Sequence, residues 1–115
     1  MIGMQEQSPP MLGIRYFKTH RGDEPVQEYL HQISQEDAAC LYGNIAVLKQ
    51  DGYLTYPHGR IMHGHPGLFE IRYKAHRVFY TVKNQTVILL HAFRKQSRKT
   101  PLKEIHVAKR RMNTL

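Results

Sequence analysis

The sequence predicts an α+β domain in the order β-α-α-β-β-β-α. A small, mainly antiparallel sheet carries two N-terminal helices on one face, and a C-terminal helix follows. Three observations predict it. Apolar residues recur at helical spacing between Pro25 and Asp51. They then alternate, or run continuously, in three short segments between Leu68 and Phe93, as strands joined by tight turns do. Helical spacing returns after Thr100-Pro101. A chain of 115 residues is the length of one domain and can bury a core without staples.

Each element has its own signature. Met1 to Pro10 reads as a disordered leader, because Pro9-Pro10 forbids regular structure, and Met11 is an alternative start. Leu12 to Lys18 reads as a short strand around Ile14 and Tyr16. Pro25, behind Asp23 and Glu24, suits the first turn of a helix in which Val26, Tyr29, Leu30 and Ile33 share one face. Ser34 can cap a second helix, with Glu36 and Asp37 in its first turn; Ala38, Leu41, Ile45 and Leu48 form its apolar stripe and Gly52 its stop. Tyr53 to Gly67 reads as a loop rich in Pro, Gly and His, and loops that long are often functional. In Leu68 to Lys74, Phe69, Ile71 and Tyr73 alternate with Glu70, Arg72 and Lys74. In the next strand, Val78, Tyr80 and Val82 alternate with Arg77, Phe79 and Thr81. Lys83 to Gln85 is a tight turn, and Thr86 to Phe93 is apolar on both faces, as a central strand is. Thr100 is placed to cap a last helix with Pro101 in its first turn; Leu102, Ile105, Ala108 and Met112 give that helix a narrow stripe.

The formal net charge is +8, and it is unevenly placed. Met1 to His65 holds five cations against seven anions, whereas Pro66 to Leu115 holds twelve cations against Glu70 and Glu104 alone. Such asymmetry points to a polyanionic partner; the plain alternative is a basic surface that serves solubility. No helix joins a Lys/Arg face to a broad Phe/Leu face, which argues against a membrane surface. Unbroken apolar runs, such as Val87 to Leu90, are too short to span a bilayer. One cysteine, Cys40, cannot form an internal bridge and fits a reducing cytoplasm. It reads as a small core residue.

Arg72 and Arg77 face away from the apolar side of their strands, and the following Arg94 to Lys99 segment is densely basic. Neighbouring strands lie about 4.8 Å apart, so these cations are expected to converge on one open sheet face suited to a phosphodiester backbone. Phe79 and Tyr80 are expected to stack bases among them. The histidines in reach are His58, His63 and His65 in the long loop, then His76 and His91; imidazole is the usual proton carrier in RNA cleavage. His63-x-His65 has metal-ligand spacing, but no Cys or acidic cluster stands beside it. His91, in an apolar strand, reads as a hydrogen-bonded core residue. Glu70 can be a general base, though a cross-strand ion pair with Arg72 is the simpler reading. There is no P-loop, GxGxxG, HExxH or serine-nucleophile motif.

Four segments together resemble the RelE/HigB superfamily of type II toxins, and its phage-derived HigB-like branch in particular. They are Gly67-Leu68-Phe69-Glu70-Ile71-Arg72, Arg77-Val78-Phe79-Tyr80, Leu89-Leu90-His91-Ala92-Phe93-Arg94-Lys95 and Lys99-Thr100-Pro101-Leu102-Lys103-Glu104-Ile105. The resemblance runs from Leu12 to about Met112, and implies one toxin domain over residues 11–115. It further implies an mRNA endonuclease of the ribosome, silenced by a helix-turn-helix antitoxin and cutting without metal or other cofactor. In that chemistry the 2′-hydroxyl attacks the adjacent phosphate. Carried onto this chain, Arg72 matches the arginine that stabilises the scissile phosphate, and Arg94 and Lys95 match the basic pair after the last strand. Where ribosome-dependent relatives carry a lysine pair, this chain offers Arg60, His63 and His65; where they use a tyrosine near the last helix, it has Lys99 and Thr100. His65 is the acid–base candidate by its place in the loop. Arg60, His63, Lys74, Arg77, Arg98 and Lys99 are the expected RNA contacts. The related ParE toxins inhibit gyrase on a similar fold without nuclease residues, so a non-catalytic inhibitor or RNA-binding protein is the alternative.

Overall fold

A computed structural model describes residues 11–115. The leader expected over Met1 to Pro10 lies outside them. The order is β1 (Gly13–Tyr16), α1 (Pro25–Gln32), α2 (Gln35–Asp51), β2 (Gly59–Ile61), β3 (Phe69–Tyr73), β4 (His76–Lys83), β5 (Thr86–Arg94) and α3 (Leu102–Met112). The strands form one sheet in the order β1-β5-β4-β3-β2. Only β1 and β5 pair in parallel, and the remaining ladders are antiparallel.

The local signals act where the sequence puts them. Pro25 opens α1, and Ser34 caps α2 by accepting the Asp37 N–H at 3.1 Å. Gly52 ends α2 in the left-handed region at φ 86°, with its N–H on Leu48 O; an L side chain there would be strained. Asn84 and Gln85, at φ 52° and 59°, turn β4 into β5 with the left-handed pair that matches strand twist.

Two features depart from the expectation. The loop after α2 contains a fifth strand: β2 pairs with β3, with Arg60 opposite Glu70. Three residues are too few to show alternation. Gly59 permits the strand, because a Cβ there would lie 2.5 Å from Leu54 Cβ and 2.8 Å from Leu54 O. The second departure is the start of α3. Pro101, not Thr100, is the cap, and Thr100 Oγ1 is buried with no hydrogen-bond partner among the described residues.

The sheet separates two cores. On one face, Val26 and Leu30 of α1 and Leu41, Ile45 and Leu48 of α2 cover Ile71, Val78, Tyr80, Val87 and Leu89. On the other, Ile105 and Ala108 of α3 cover Phe79, Ile88, Leu90 and Phe93. Each fully buried Leu, Ile or Val contributes about 1.5–3 kcal/mol. The expected base-stacking role of Phe79 and Tyr80 is thereby overturned: both are buried, one in each core. Met62 and Leu68, from the segment between β2 and β3, complete this second core. The part of β3 and β4 nearest their connecting turn is left to charged residues.

Candidate nucleic-acid interface

Glu70 is the centre of that charged region. It is completely buried, and three guanidinium groups surround it. Arg60 Nη2 of β2 lies 3.3 Å from Oε1, Arg72 Nε of β3 3.6 Å from Oε1, and Arg77 Nε of β4 3.8 Å from Oε2. Strand register explains the convergence: Arg60 is the partner of Glu70, and Arg72 is the partner of Arg77. Facing partners in a ladder project to the same side of the sheet. Lys95 adjoins the group, lining a cleft with Arg60. Three arginines thus share one carboxylate.

The contacts are loose. Charge-assisted hydrogen bonds run about 2.7–2.9 Å, and none of these does. Arg60 Nε, Arg72 Nε and Nη1, and Arg77 Nε are buried with no hydrogen-bond partner among the described residues. The arginines therefore keep donors to spare. Arg77, 7% exposed, donates through Nη1 to Lys74 O and His76 O at 2.7 and 2.8 Å. Burial first, then Arg72 and Arg60, push its pKa down against the pull of Glu70, yet a guanidinium stays charged. Lys95 is pushed below the ordinary lysine range by burial and by Arg77.

Two clefts open beside this group. One, of about 250 Å³, is lined by Pro57, His58, Arg72, Tyr73, Lys74 and Arg77. The other, of about 310 Å³, is lined by Arg60, His63, Lys95, Arg98, Lys99 and their neighbours. A more apolar groove of about 440 Å³, among Tyr53, Leu54, Phe69 and Val82, adjoins the second cleft and shares Arg60, Ile61 and His63 with it. The polar chemistry lies with the two smaller clefts.

The structure brings together Arg60, His63, Arg72, Arg77, Lys95, Arg98 and Lys99 along these clefts. Arg94 is not with them. It faces His76 in the β4–β5 ladder, and the His76 side chain is on the helix side with Tyr29. A register shift between Phe79 and Tyr80 is the cause: Phe79 pairs with His91, but Tyr80 pairs with Leu89. Plain alternation from the Tyr80–Leu89 pair would turn Arg94 toward Arg77. The one extra residue, Leu90, exchanges the faces of Arg94 and Lys95. Lys74 lines the smaller cleft, but its Nζ is drawn 3.0 Å from Asp37 of α2. His65 lines neither cleft; it sits in the turn between β2 and β3, its Nδ1 buried with no partner among the described residues. His91 bonds Glu104 of α3 at 2.6 Å, as a packed core residue would.

Two residues stand beside Arg72: Tyr56, which is outside the expected site, and His58, one of the loop histidines expected in reach. The Arg72 guanidinium lies 5.2 Å from the ring centre of Tyr56, and holds that phenol below its ordinary range. His58 is fixed by its backbone carbonyl, which accepts the Arg72 N–H at 2.8 Å, and its side chain lines the cleft. The signal for Tyr56 is available only through β2: the pairing with β3 carries residues 56 to 58 alongside Arg72. Among the described residues, no group of three or more His, Cys, Asp or Glu side chains is placed to hold a metal ion. Nor is any helix of the described residues long and apolar enough to cross a membrane.

Residues 28–113 match the family model "Phage derived protein Gp49-like (DUF891)". The chain belongs to that family. Among curated proteins, none matches it. The Gp49-like chain has the fold of two solved toxins. One is an arginine double mutant of the toxin RelE from Escherichia coli in the free state, with TM-score 0.63, 11% identity, and coverage of 89% of this chain and 98% of that one. The other belongs to the toxin–antitoxin complex RelBE2 of Mycobacterium tuberculosis, with TM-score 0.51, 15% identity, and coverage of 76% and 94%. At that identity the likeness is one of fold, and it meets the RelE-like architecture that the sequence implied.

Proposed function

We propose that this Gp49-like protein is the toxin of a toxin–antitoxin pair and cleaves mRNA, on the ribosome and in the cytoplasm, until a helix-turn-helix antitoxin silences it. The observation that carries the reading is the cluster of Arg60, Arg72, Arg77 and Lys95, whose arginines keep buried donors unused beside two open clefts. Fixed cations of this kind stabilise charge that develops on a phosphate in the transition state. The fold likeness to RelE toxins, one of them crystallised in a toxin–antitoxin complex, supports the same reading.

The chemistry follows. The 2′-oxygen forms a bond to phosphorus as its proton passes to a base; the bond from phosphorus to the 5′-oxygen breaks as that oxygen gains a proton. A 2′,3′-cyclic phosphate and a 5′-hydroxyl result. Arg72 and Arg77 hold the non-bridging oxygens. Lys95, its pKa lowered by burial and by Arg77, is suited to protonate the leaving oxygen. His58 and Tyr56 flank Arg72 and are better placed than His65 to receive the first proton. Arg60, His63, Arg98 and Lys99 carry the adjoining backbone.

A second reading has an observation of its own: all three arginines already face Glu70, so the cluster serves the fold and the protein inhibits growth without cutting RNA. Mapping transcript ends after induction separates the two. New 5′ ends in wild type, lost with Arg72→Ala, support the nuclease. Growth arrest with intact mRNA overturns it.

A further inference from the structure

The turn from β3 to β4 is held from both faces of the sheet. On the cation side, its three carbonyls are acceptors: Arg77 Nη1 donates to Lys74 O and His76 O, and the Lys95 N–H donates to Ala75 O at 2.7 Å. On the helix side, its side chains are anchored. His76 is 1% exposed, and both ring nitrogens are engaged. Asp37 Oδ2 accepts from Nε2–H at 2.9 Å, and Nδ1 shares a hydrogen bond with the Tyr29 hydroxyl at 2.6 Å. The other oxygen of Asp37 accepts from Lys74 Nζ at 3.0 Å.

A turn needs none of this. Gly or Asn would adopt the left-handed conformation that Lys74 holds at φ 53°. An apolar side chain would fill the His76 site without the desolvation that a buried imidazole incurs. The polar network instead fixes the backbone atoms on which Arg77 and Lys95 rest.

We propose that Tyr29, His76, Asp37 and Lys74 are positioning residues, a relay from α1 and α2 through the β3–β4 turn that sets Arg77 and Lys95 against the RNA phosphate. The proposal rests on the nuclease reading for its purpose, though not for its geometry. None of the four takes part in proton transfer to the substrate.

The test compares two substitutions at one site. His76→Gln can still donate to Asp37 and accept from Tyr29; His76→Leu only fills the space. If His76 serves packing alone, Leu is tolerated at least as well as Gln. If it positions Arg77 and Lys95, Gln retains function and Leu does not. The readouts are kcat and KM on a short RNA, and amide hydrogen exchange of the full chain. For His76→Leu and for Asp37→Asn, kcat is expected to fall about tenfold with KM within about twofold. The Lys95 amide is expected to exchange about tenfold faster, with Leu89 in the central strand unchanged. Unchanged kcat and Lys95 exchange in folded variants overturn the proposal, as does equal acceleration at Leu89. If His76→Leu does not fold, Asp37→Asn decides alone. If wild type cuts no RNA, the nuclease reading falls, and Lys95 exchange alone decides whether the relay holds the turn.

Discussion

At the scale of single residues, the instructive group is Glu70 with its arginines. Removing one partner of a buried ion pair leaves uncompensated charge and costs about 3–5 kcal/mol. Glu70→Ala is therefore expected to lower stability by about that amount, read from the urea midpoint, because Arg60, Arg72 and Arg77 would then repel one another. Arg72→Ala should instead lower cleavage by about 10²- to 10³-fold, with a fold still cooperative by circular dichroism. Asp37 supplies a pH dependence. Hydrogen bonds from His76 and then Lys74 hold its carboxyl below the ordinary range. A depressed carboxylate gives stability that is present above the unfolded value, about 3.9, and is lost as pH falls through the folded one. Asp37→Asn should flatten that acid limb of the stability curve. How much of the site could be read from residues alone is shown by Arg72 and Arg94. Alternation placed Arg72 and Arg77 on one face, and they are there. Arg94 was misplaced because a single extra residue at Leu90 exchanges the faces of everything after it, and no residue type in the run announces a bulge.

At the scale of elements, β2 and α3 decide the outline of the site. β2 leaves no mark in the sequence because its three residues carry no period, while Gly59 is small for a reason only a close neighbour reveals. Gly59→Ala is expected to displace Leu54 and loosen β2, exposing the Arg60 amide to faster hydrogen exchange while α1 and α2 stay protected. α3, by contrast, was legible from its apolar spacing, apart from its cap. It is pinned by His91 to Glu104 and by Arg111 Nη1 donating to Leu90 O at 2.8 Å. Burial pushes the His91 imidazole below its ordinary range, against Glu104, with Arg111 acting in the same direction as burial. The folded ring thus resists a proton that the unfolded chain accepts. Stability is full above about pH 6.5 and declines as pH falls through the lowered folded value. His91→Gln should reduce that loss between neutrality and pH 5, measured by denaturation at fixed pH.

At the scale of the whole molecule, the charge asymmetry, the core beneath the two N-terminal helices and the helix positions are legible in the sequence, because they depend on many residues acting together; the second core, which buries Phe79 beneath α3, is not. With a net charge of +8, RNA affinity should fall with salt at about −0.7 logarithmic units per phosphate engaged. Arg98→Ala should lower that slope by one contact without changing sequence preference. The parallel pairing of the first strand with the last governs something else. Gly13 faces Thr86 and Tyr16 faces Leu89, so that ladder cannot close until nearly the whole chain has been made. The β3-β4-β5 meander needs only local pairings and can form first. Ile14→Val should then chiefly speed unfolding, while Val78→Ala in the meander should slow folding, as the two limbs of a chevron plot would report. The opening strand therefore stays without its ladder partner while the chain between Tyr16 and Thr86 is being synthesised.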